Sequence, residues 1–239
     1  NREGEYLTDR LTDEAMKMIE DAGSRPFFLN LSYYNVHIPI EAKAEDITYF
    51  KNKLSPENHH QNETCAAMVK NVDDNFGRLL QKLDQLGISE NTIIVFTSDN
   101  GGVIQKYKDK VVTDNFPLRE GKGSLYEGGI RIPTIIFYPK NPGKGQQIDI
   151  PISTIDYLPT AMEIAGIPND LDNIEGESLL PLLKGEDAKS IENRALYWHF
   201  PHYYYAVKPV SSIREGSWKL LEYLEDGHIE LYNLSDDLE

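Results

Sequence analysis

The sequence has almost no cysteine and no long hydrophobic run. Its single cysteine, Cys65, cannot form an internal disulfide, and no CxxC or Cys/His spacing typical of a zinc site occurs. No apolar run approaches the roughly 20 residues that a membrane-spanning helix needs. No signal peptide is visible, but the chain begins inside a helical pattern, so this absence is uninformative. We predict that Cys65 is a buried structural thiol.

Basic residues are also scarce. The chain has 24 Lys and Arg against 39 Asp and Glu, a formal net charge of −15. A protein that binds duplex DNA normally carries a basic face, so nucleic acid is a poor candidate partner. An acidic surface would also repel a polyanionic substrate, which would need a local cation in its pocket to bind. The simpler interpretation of the net charge is that it provides solubility alone.

The first half of the chain alternates helical and strand patterns. In order, the predictions are a helix over 11–22, a largely buried strand over 27–33, a loop over 41–61, a helix over 63–86 and a strand over 92–97. Helix, short turn, buried strand and polar Gly-rich loop are typical of a doubly wound α/β sheet.

The second half changes in character after about Asn193. Up to that point we predict a polar loop over 105–129, a strand over 133–138, a helix over 156–165 and a packed turn over 176–185. Beyond it, aromatic residues crowd 197–205, and strands are predicted over 211–214, 218–224 and 229–234, with a hairpin at Asp226-Gly227. We therefore predict a large α/β domain over 1–192 and a small antiparallel β subdomain over 193–239.

Two oxygen-bearing residues, Asp99 and Asn100, follow the strand predicted over 92–97. In open α/β sheets, ligands bind beyond the carboxyl ends of strands. A carboxylate and an amide carbonyl suit a hard cation such as Ca²⁺ or Mg²⁺, but two residues cannot fill a shell of about 6–8 oxygens. On these residues alone, a helix cap or an Asx turn is the simpler explanation of the pair.

His37 follows a predicted strand and precedes Pro39, which holds the turn extended. A histidine there could donate to an anionic oxygen or protonate a leaving group, or it could be an ordinary strand-end residue.

Lys122 lies between Gly121 and Gly123, so its side chain could enter a pocket with little steric obstruction, although a flexible surface loop is the simpler alternative. The segment is not a Walker A loop, because the required Gly and Ser/Thr positions hold Phe116 and Gly123.

Two histidines, His199 and His202, lie in the aromatic cluster. They could contact a substrate sugar on which Trp198 or a tyrosine stacks. The alternative is a packed aromatic core for the small sheet.

Taken together, these segments resemble the sulfatase family of the alkaline-phosphatase-like superfamily. The likeness is carried by stretches at 26–39, 97–102, 118–133, 156–160, 176–183 and 230–234, in family order and at about the family spacing. The stretch around Lys122, LREGKGSLYEGGIRIP, is the most specific. The resemblance implies an α/β fold, part of an alkaline-phosphatase-like α/β/α sandwich followed by a small C-terminal antiparallel sheet. It implies a sulfuric ester hydrolase acting on sulfated carbohydrates or aryl sulfates.

The resemblance also implies roles for particular residues. Asp99 and Asn100 match metal ligands, usually for one Ca²⁺, and His37 and Lys122 match groups that bind the sulfate and assist departure of the alcohol. The family nucleophile is a formylglycine made from Cys or Ser in a C/S-x-P-S/A-R motif. Cys65 does not fit that motif, because Ala67 and Val69 stand where Pro and Arg would be required.

We therefore expect a C-terminal fragment, inactive alone, whose formylglycine lies upstream and whose partner is the remainder of its own N-terminal domain. The family implies a periplasmic, secreted or lysosomal location. The alternatives are a phosphatase or phosphodiesterase of the same superfamily and a non-catalytic relative that binds sulfated glycans.

Overall fold

The computed structural model describes residues 4–55, 57, 59–141, 145–168, 173–205 and 207–238. The chain divides into two compact units. Unit 1 comprises Asn1–Thr92 and Gly101–Phe116, and unit 2 comprises Ile93–Asn100 and Pro117–Glu239. This division differs from the predicted domain boundary between residues 192 and 193, which stays a prediction.

The described residues form seven α-helices and eight strands. The helices are α1 (Leu7–Ala22), α2 (Ala44–Lys51), α3 (Glu63–Gln85), α4 (Glu127–Ile130), α5 (Tyr157–Ile164), α6 (Leu180–Lys184) and α7 (Lys189–Glu192). The strands are β1 (Ile94–Thr97), β2 (Lys106–Tyr107), β3 (Lys110–Val111), β4 (Thr134–Phe137), β5 (Ala195–Phe200), β6 (Val210–Glu215), β7 (Trp218–Tyr223) and β8 (Ile229–Asn233). None of the helices in the described ranges is long and apolar enough to cross a membrane.

Unit 1 is built on α3, against which α1 and α2 pack. The predicted helices over 11–22 and 63–86 are confirmed, although α1 begins four residues earlier. The Asn62 side chain caps α3 by accepting from the backbone N–H groups of Thr64 and Cys65 at 3.1 and 3.0 Å. The Cys65 thiol is buried as predicted, and burial raises its pKa.

Three predictions are wrong. The loop predicted over 105–129 contains the short paired strands β2 and β3 in unit 1 and helix α4 in unit 2. The segment 27–33 forms no strand, because no described segment pairs with it, and Phe28 is 84% exposed. The predicted loop over 41–61 contains α2. This helix buries Asp46, whose carboxylate pairs with Lys70 at 3.2 Å. Because the buried side of the helix carries a charge, its sequence lacks a clear apolar period.

Unit 2 holds the antiparallel pair of β1 and β4. Thr97 at the end of β1 lies opposite Thr134 at the start of β4. The strands over 92–97 and 133–138 are thus confirmed, but the described residues contain no parallel pair of the doubly wound kind. The register brings the residues after Thr97 and those before Thr134 to the same end of the pair.

The C-terminal sheet has four antiparallel strands in the order β5-β6-β7-β8. The hairpin at Asp226-Gly227 is confirmed, with Gly227 at φ +69° and its N–H donating to the Tyr223 carbonyl at 2.9 Å. Leu125 packs against Val210 and Leu221 to form a core that joins this sheet to the segment before α4. Strand β5 was not predicted, because its run of large aromatic residues resembled a packed cluster.

Candidate functional site

The turn after β1 presents Asp99 and Asn100. Asp99 is exposed, and its Oδ1 accepts from the Asn100 N–H at 3.0 Å and lies 3.4 Å from the Ser98 hydroxyl. Both contacts use Oδ1, and no hydrogen bond or ion pair from the described part of the chain reaches Oδ2. One carboxylate oxygen is therefore available to a ligand at the end of β1.

The loop carrying Lys122 is folded tightly onto α4. The Gly128 N–H donates to the Arg119 carbonyl at 2.8 Å, and the Ser124 N–H donates to the Gly121 carbonyl at 3.0 Å. A Cβ on Gly129 would lie 2.1 Å from the Ser124 carbonyl oxygen, so only glycine fits there. Lys122 is half-buried, and its ammonium has no ion-pair or hydrogen-bond partner among the described residues. The loop is thus a fixed turn that presents an unpaired cation.

A buried ion cluster lies at the C-terminal end of this loop. Glu127, on α4, is 3% exposed and accepts from the Lys219 ammonium at 2.8 Å and from the Arg214 guanidinium at 3.2 Å. Lys219 is 1% exposed, and burial lowers its pKa, although the Glu127 carboxylate partly opposes this effect. The cluster fastens α4 to β6 and β7.

A second polar group joins the same segment to β8. Arg119 donates to the Tyr232 hydroxyl at 3.0 Å and stacks over the Tyr126 ring at 4.2 Å. Tyr126 and Tyr232 both donate to Glu230. Burial and hydrogen bonding to Glu230 raise the pKa of Tyr126. Both ends of the Lys122 loop are therefore held by the C-terminal sheet.

The aromatic segment after β5 touches the Lys122 loop directly. The Tyr204 ring lies against Gly123, so closely that a Cβ there would be 2.1 Å from the ring. Gly123 also has φ +90°, which favours glycine. Phe200 packs edge-on against both Tyr204, at 6.5 Å, and the exposed His202, at 4.3 Å between ring centroids.

His199 lies on the other face of the sheet. Trp198 and Phe200 pack toward Leu125, and side chains alternate along a strand, so His199 faces away from the Lys122 loop. Its Nδ1 lies 2.8 Å from the Ser211 hydroxyl on β6.

His37 lies in unit 1, on an exposed turn between α1 and α2. Its backbone N–H donates to the Tyr34 carbonyl at 2.8 Å. Its Nδ1 lies 2.8 Å from the Ile38 carbonyl oxygen. A carbonyl can only accept, so Nδ1 carries a hydrogen and Nε2 remains for other partners. The turn contains two cis peptide bonds, Asn35–Val36 and Ile38–Pro39.

Within unit 2, therefore, the Lys122 loop contacts the segment that bears His202. In the same unit, the end of β1, which Asp99 follows, lies beside the start of β4. Sequence reasoning missed Glu127 and Lys219, which are separated by 92 positions along the chain. The glutamate did stand in the stretch that carries the family resemblance, and this was its only signal.

Comparison with known proteins identifies the family. A family profile described as Sulfatase matches residues 1–167, and one described as N-sulphoglucosamine sulphohydrolase, C-terminal, matches residues 121–239. The chain belongs to the sulfatase family. Curated relatives of this sulfatase chain include a sulfatase of Formosa agariphila, 34% identical over 98% of this chain and 45% of its own length. Human steryl-sulfatase is 33% identical over 89% of this chain and 35% of its own length. The sulfatase chain thus spans less than half the length of these relatives.

Solved structures confirm the predicted fold class. The crystal structure of Ps i-CgsB in complex with k-i-k-neocarrahexaose matches this sulfatase chain with a TM-score of 0.83 and 31% identity, over all of this chain and 51% of that one. A protein solved with its substrate D-glucosamine-2-N,6-O-disulfate matches with a TM-score of 0.59 and 28% identity, over 80% of this chain and 38% of that one. The chain is part of an alkaline-phosphatase-like α/β fold with a small C-terminal antiparallel sheet.

Proposed function

We propose that the parent protein, the polypeptide in which this sequence occurs naturally, hydrolyses sulfate esters of carbohydrates or phenols. The observation that carries the proposal is that Lys122, in a chain of the sulfatase family, has no ion-pair or hydrogen-bond partner among the described residues and lies on a loop held by the C-terminal sheet. A fixed, half-buried cation suits a sulfate group, which remains anionic throughout the reaction. It also supplies the local positive charge that a chain of net charge −15 needs to bind an anion.

Asp99 and Asn100 are proposed as ligands of a Ca²⁺ ion. Their oxygen donors fit a hard cation, and the free Oδ2 of Asp99 is consistent with that role. The described residues contain no group of three or more His, Cys, Asp or Glu side chains that could hold a metal. Two ligand residues cannot fill a Ca²⁺ shell, so we propose that the parent protein supplies further ligands. A bound cation would neutralise negative charge on the sulfate oxygens.

His37 is proposed as the acid that protonates the leaving oxygen. Its Nδ1 is committed to the Ile38 carbonyl, so the proton would leave from Nε2 as the sulfur–oxygen bond breaks. The imidazolium would become neutral and the departing oxygen would become an alcohol. The resemblance implies a formylglycine nucleophile, and since the 239 residues contain no C/S-x-P-S/A-R motif, we propose that it lies elsewhere in the parent protein.

His202 is the better supported of the two proposed sugar-contacting histidines. It is exposed and is linked through Phe200 and Tyr204 to the Lys122 loop. His199 faces the opposite side of the sheet, so its contact with substrate stays a prediction without support from the loop geometry. The D-glucosamine-2-N,6-O-disulfate bound by one structural relative is consistent with a carbohydrate substrate. The family likeness favours a periplasmic, secreted or lysosomal location.

The experiment compares matched esters. The parent protein is assayed with 4-nitrophenyl sulfate, 4-nitrophenyl phosphate and a sulfated sugar, after chelation and after addition of Ca²⁺ or Zn²⁺. We expect sulfate release that is lost on chelation and restored by Ca²⁺.

Preferential phosphate release with two zinc ions per chain would instead identify a phosphatase of the same superfamily. Binding of the sulfated sugar without turnover under any of these conditions would identify a non-catalytic glycan-binding protein.

A further inference from the structure

The Tyr6 hydroxyl joins the two ends of the His37 turn. It donates to the Glu41 carbonyl at 2.8 Å, and the Asn35 Nδ2 lies 3.2 Å from it. A phenol has one hydrogen, and the shorter bond to Glu41 uses it, so Asn35 is the donor in the second bond. Asn35 and Glu41 flank His37 by two and four residues, so one side chain closes the turn around the histidine.

Asn35 also fastens the turn to the core of unit 1. Its Nδ2 donates to the Met68 carbonyl on α3 at 3.1 Å. An amide nitrogen carries two hydrogens, so the bonds to Tyr6 and to Met68 can form together. Met68 is 3% exposed, which makes its carbonyl a fixed anchor.

Tyr6 is itself held in place. It precedes the first residue of α1, and the Lys43 ammonium lies 5.9 Å from the centroid of its ring. Lys43 also pairs at 2.7 Å with Asp9, which accepts from two asparagines of α3. Burial raises the pKa of Tyr6, so the phenol remains a hydrogen-bond donor at neutral pH.

We propose that Tyr6 and Asn35 are positioning residues that aim the Nε2 of His37 at the leaving oxygen. The inference rests on the proposed role of His37 as the acid. General acid catalysis requires the donor within about 2.6–3.2 Å of the oxygen it protonates. An error of about 1 Å in such a position can cost up to about 100-fold in rate. Neither Tyr6 nor Asn35 needs to touch the substrate for this effect.

The expected signature depends on the leaving group. A sugar or alkyl alcohol needs protonation to depart, whereas 4-nitrophenolate leaves without it. Tyr6→Phe and Asn35→Asp should each lower kcat/KM about tenfold for a sugar or alkyl sulfate and less than about twofold for 4-nitrophenyl sulfate. His37→Ala should show the same selectivity with a larger loss.

Tyr33→Phe is the matched control. Its hydroxyl also bonds to α1, at 2.7 Å from the Thr12 Oγ1, but it makes no bond to the two ends of the His37 turn. It removes the same atom from a half-buried tyrosine four residues from His37. It should leave the ratio of the two kcat/KM values unchanged.

The experiment measures kcat/KM for both substrates in the parent protein, in these four variants and in the double variant Tyr6→Phe/His37→Ala. If Tyr6 acts through His37, Tyr6→Phe should have no further selective effect once His37 is removed. Should Tyr6→Phe fold poorly, Asn35→Asp provides the same comparison.

Two results would overturn the inference in different ways. A selective loss in His37→Ala together with equal losses, or none, in Tyr6→Phe and Asn35→Asp would reject the positioning role and leave the proposed function intact. Equal losses for both substrates in His37→Ala would reject His37 as the acid, and the positioning role with it.

Discussion

At the scale of single residues, Asp156 lies in one of the stretches that carry the family resemblance, and its role is to stabilise the fold. Its side chain is fully buried, and it accepts from the backbone N–H groups of Ser153, at 2.8 Å, and Glu177, at 3.0 Å. Both arms of the Arg194 guanidinium also donate to it. Burial alone would raise the pKa of Asp156, but Arg194 and the two amides outweigh it and hold the pKa below 3.8. The carboxylate therefore ties α5 to the segment before β5.

Asp156→Asn should destabilise the protein by about 3 kcal/mol, because it removes the charged partner that accepts from both arms of the largely buried Arg194 guanidinium. The folded-state pKa of Asp156 is depressed, so its stabilisation is complete above pH 3.8 and is lost as the pH falls through the lower folded value. Urea unfolding at several pH values measures both effects.

Asp187→Asn is the control, since Asp187 forms an exposed pair with Lys189. It should change the free energy of unfolding by less than about 1 kcal/mol. Equal effects of the two substitutions would contradict the role assigned to Asp156.

At the scale of elements, the sequence predicts those whose patterns are local. The apolar period of α3, the β-branched runs of β1 and β4 and the Asp-Gly hairpin between β7 and β8 each lie within one short window. The local pattern of segment 27–33 could not predict whether it forms a strand, because a strand also needs a second segment with which to pair. Strand β5 was missed because its aromatic composition suits both a strand and a packed cluster.

The candidate site was predicted in the same uneven way. Strand-end position and family resemblance together singled out Asp99, Asn100, Lys122 and His37. The supports of these residues could not be predicted, because they join distant parts of the chain. The Tyr6 contact with Glu41 spans 35 positions, and the Glu127 contact with Lys219 spans 92.

The buried ion cluster that links α4 to β6 and β7 allows a prediction at the scale of elements. Glu127→Gln should destabilise the protein by about 3 kcal/mol, because Lys219 stays buried without its carboxylate. Adding Lys219→Met should recover part of that loss, since the unpaired cation is then removed. Thermal or urea unfolding of both single variants and the double variant measures the coupling.

Lys189→Met, in an exposed ion pair, provides the control and should have little effect. Strictly additive effects of the two buried substitutions would show that Glu127 and Lys219 do not support each other.

At the scale of the whole molecule, the proposed substrate is an anion, whereas the chain itself is acidic. Thirty-nine acidic residues against 24 basic ones oppose the approach of a sulfate ester. Within the described part of the chain, Lys122 is a cation without an ion-pair or hydrogen-bond partner, and it lies on a glycine-bounded loop whose base is buried against the C-terminal sheet. We propose that this cation faces the sulfate group of the substrate.

The most direct test is kcat/KM of the parent protein and of Lys122→Ala for 4-nitrophenyl sulfate and for a sugar sulfate, with exposed Lys184→Ala as the control. Because the sulfate is anionic with either leaving group, Lys122→Ala should lower both values by a similar factor of about 100. Lys184→Ala should leave both values within about twofold of the parent protein. Values for Lys122→Ala that match those for Lys184→Ala would show that the Lys122 cation does not contact the sulfate.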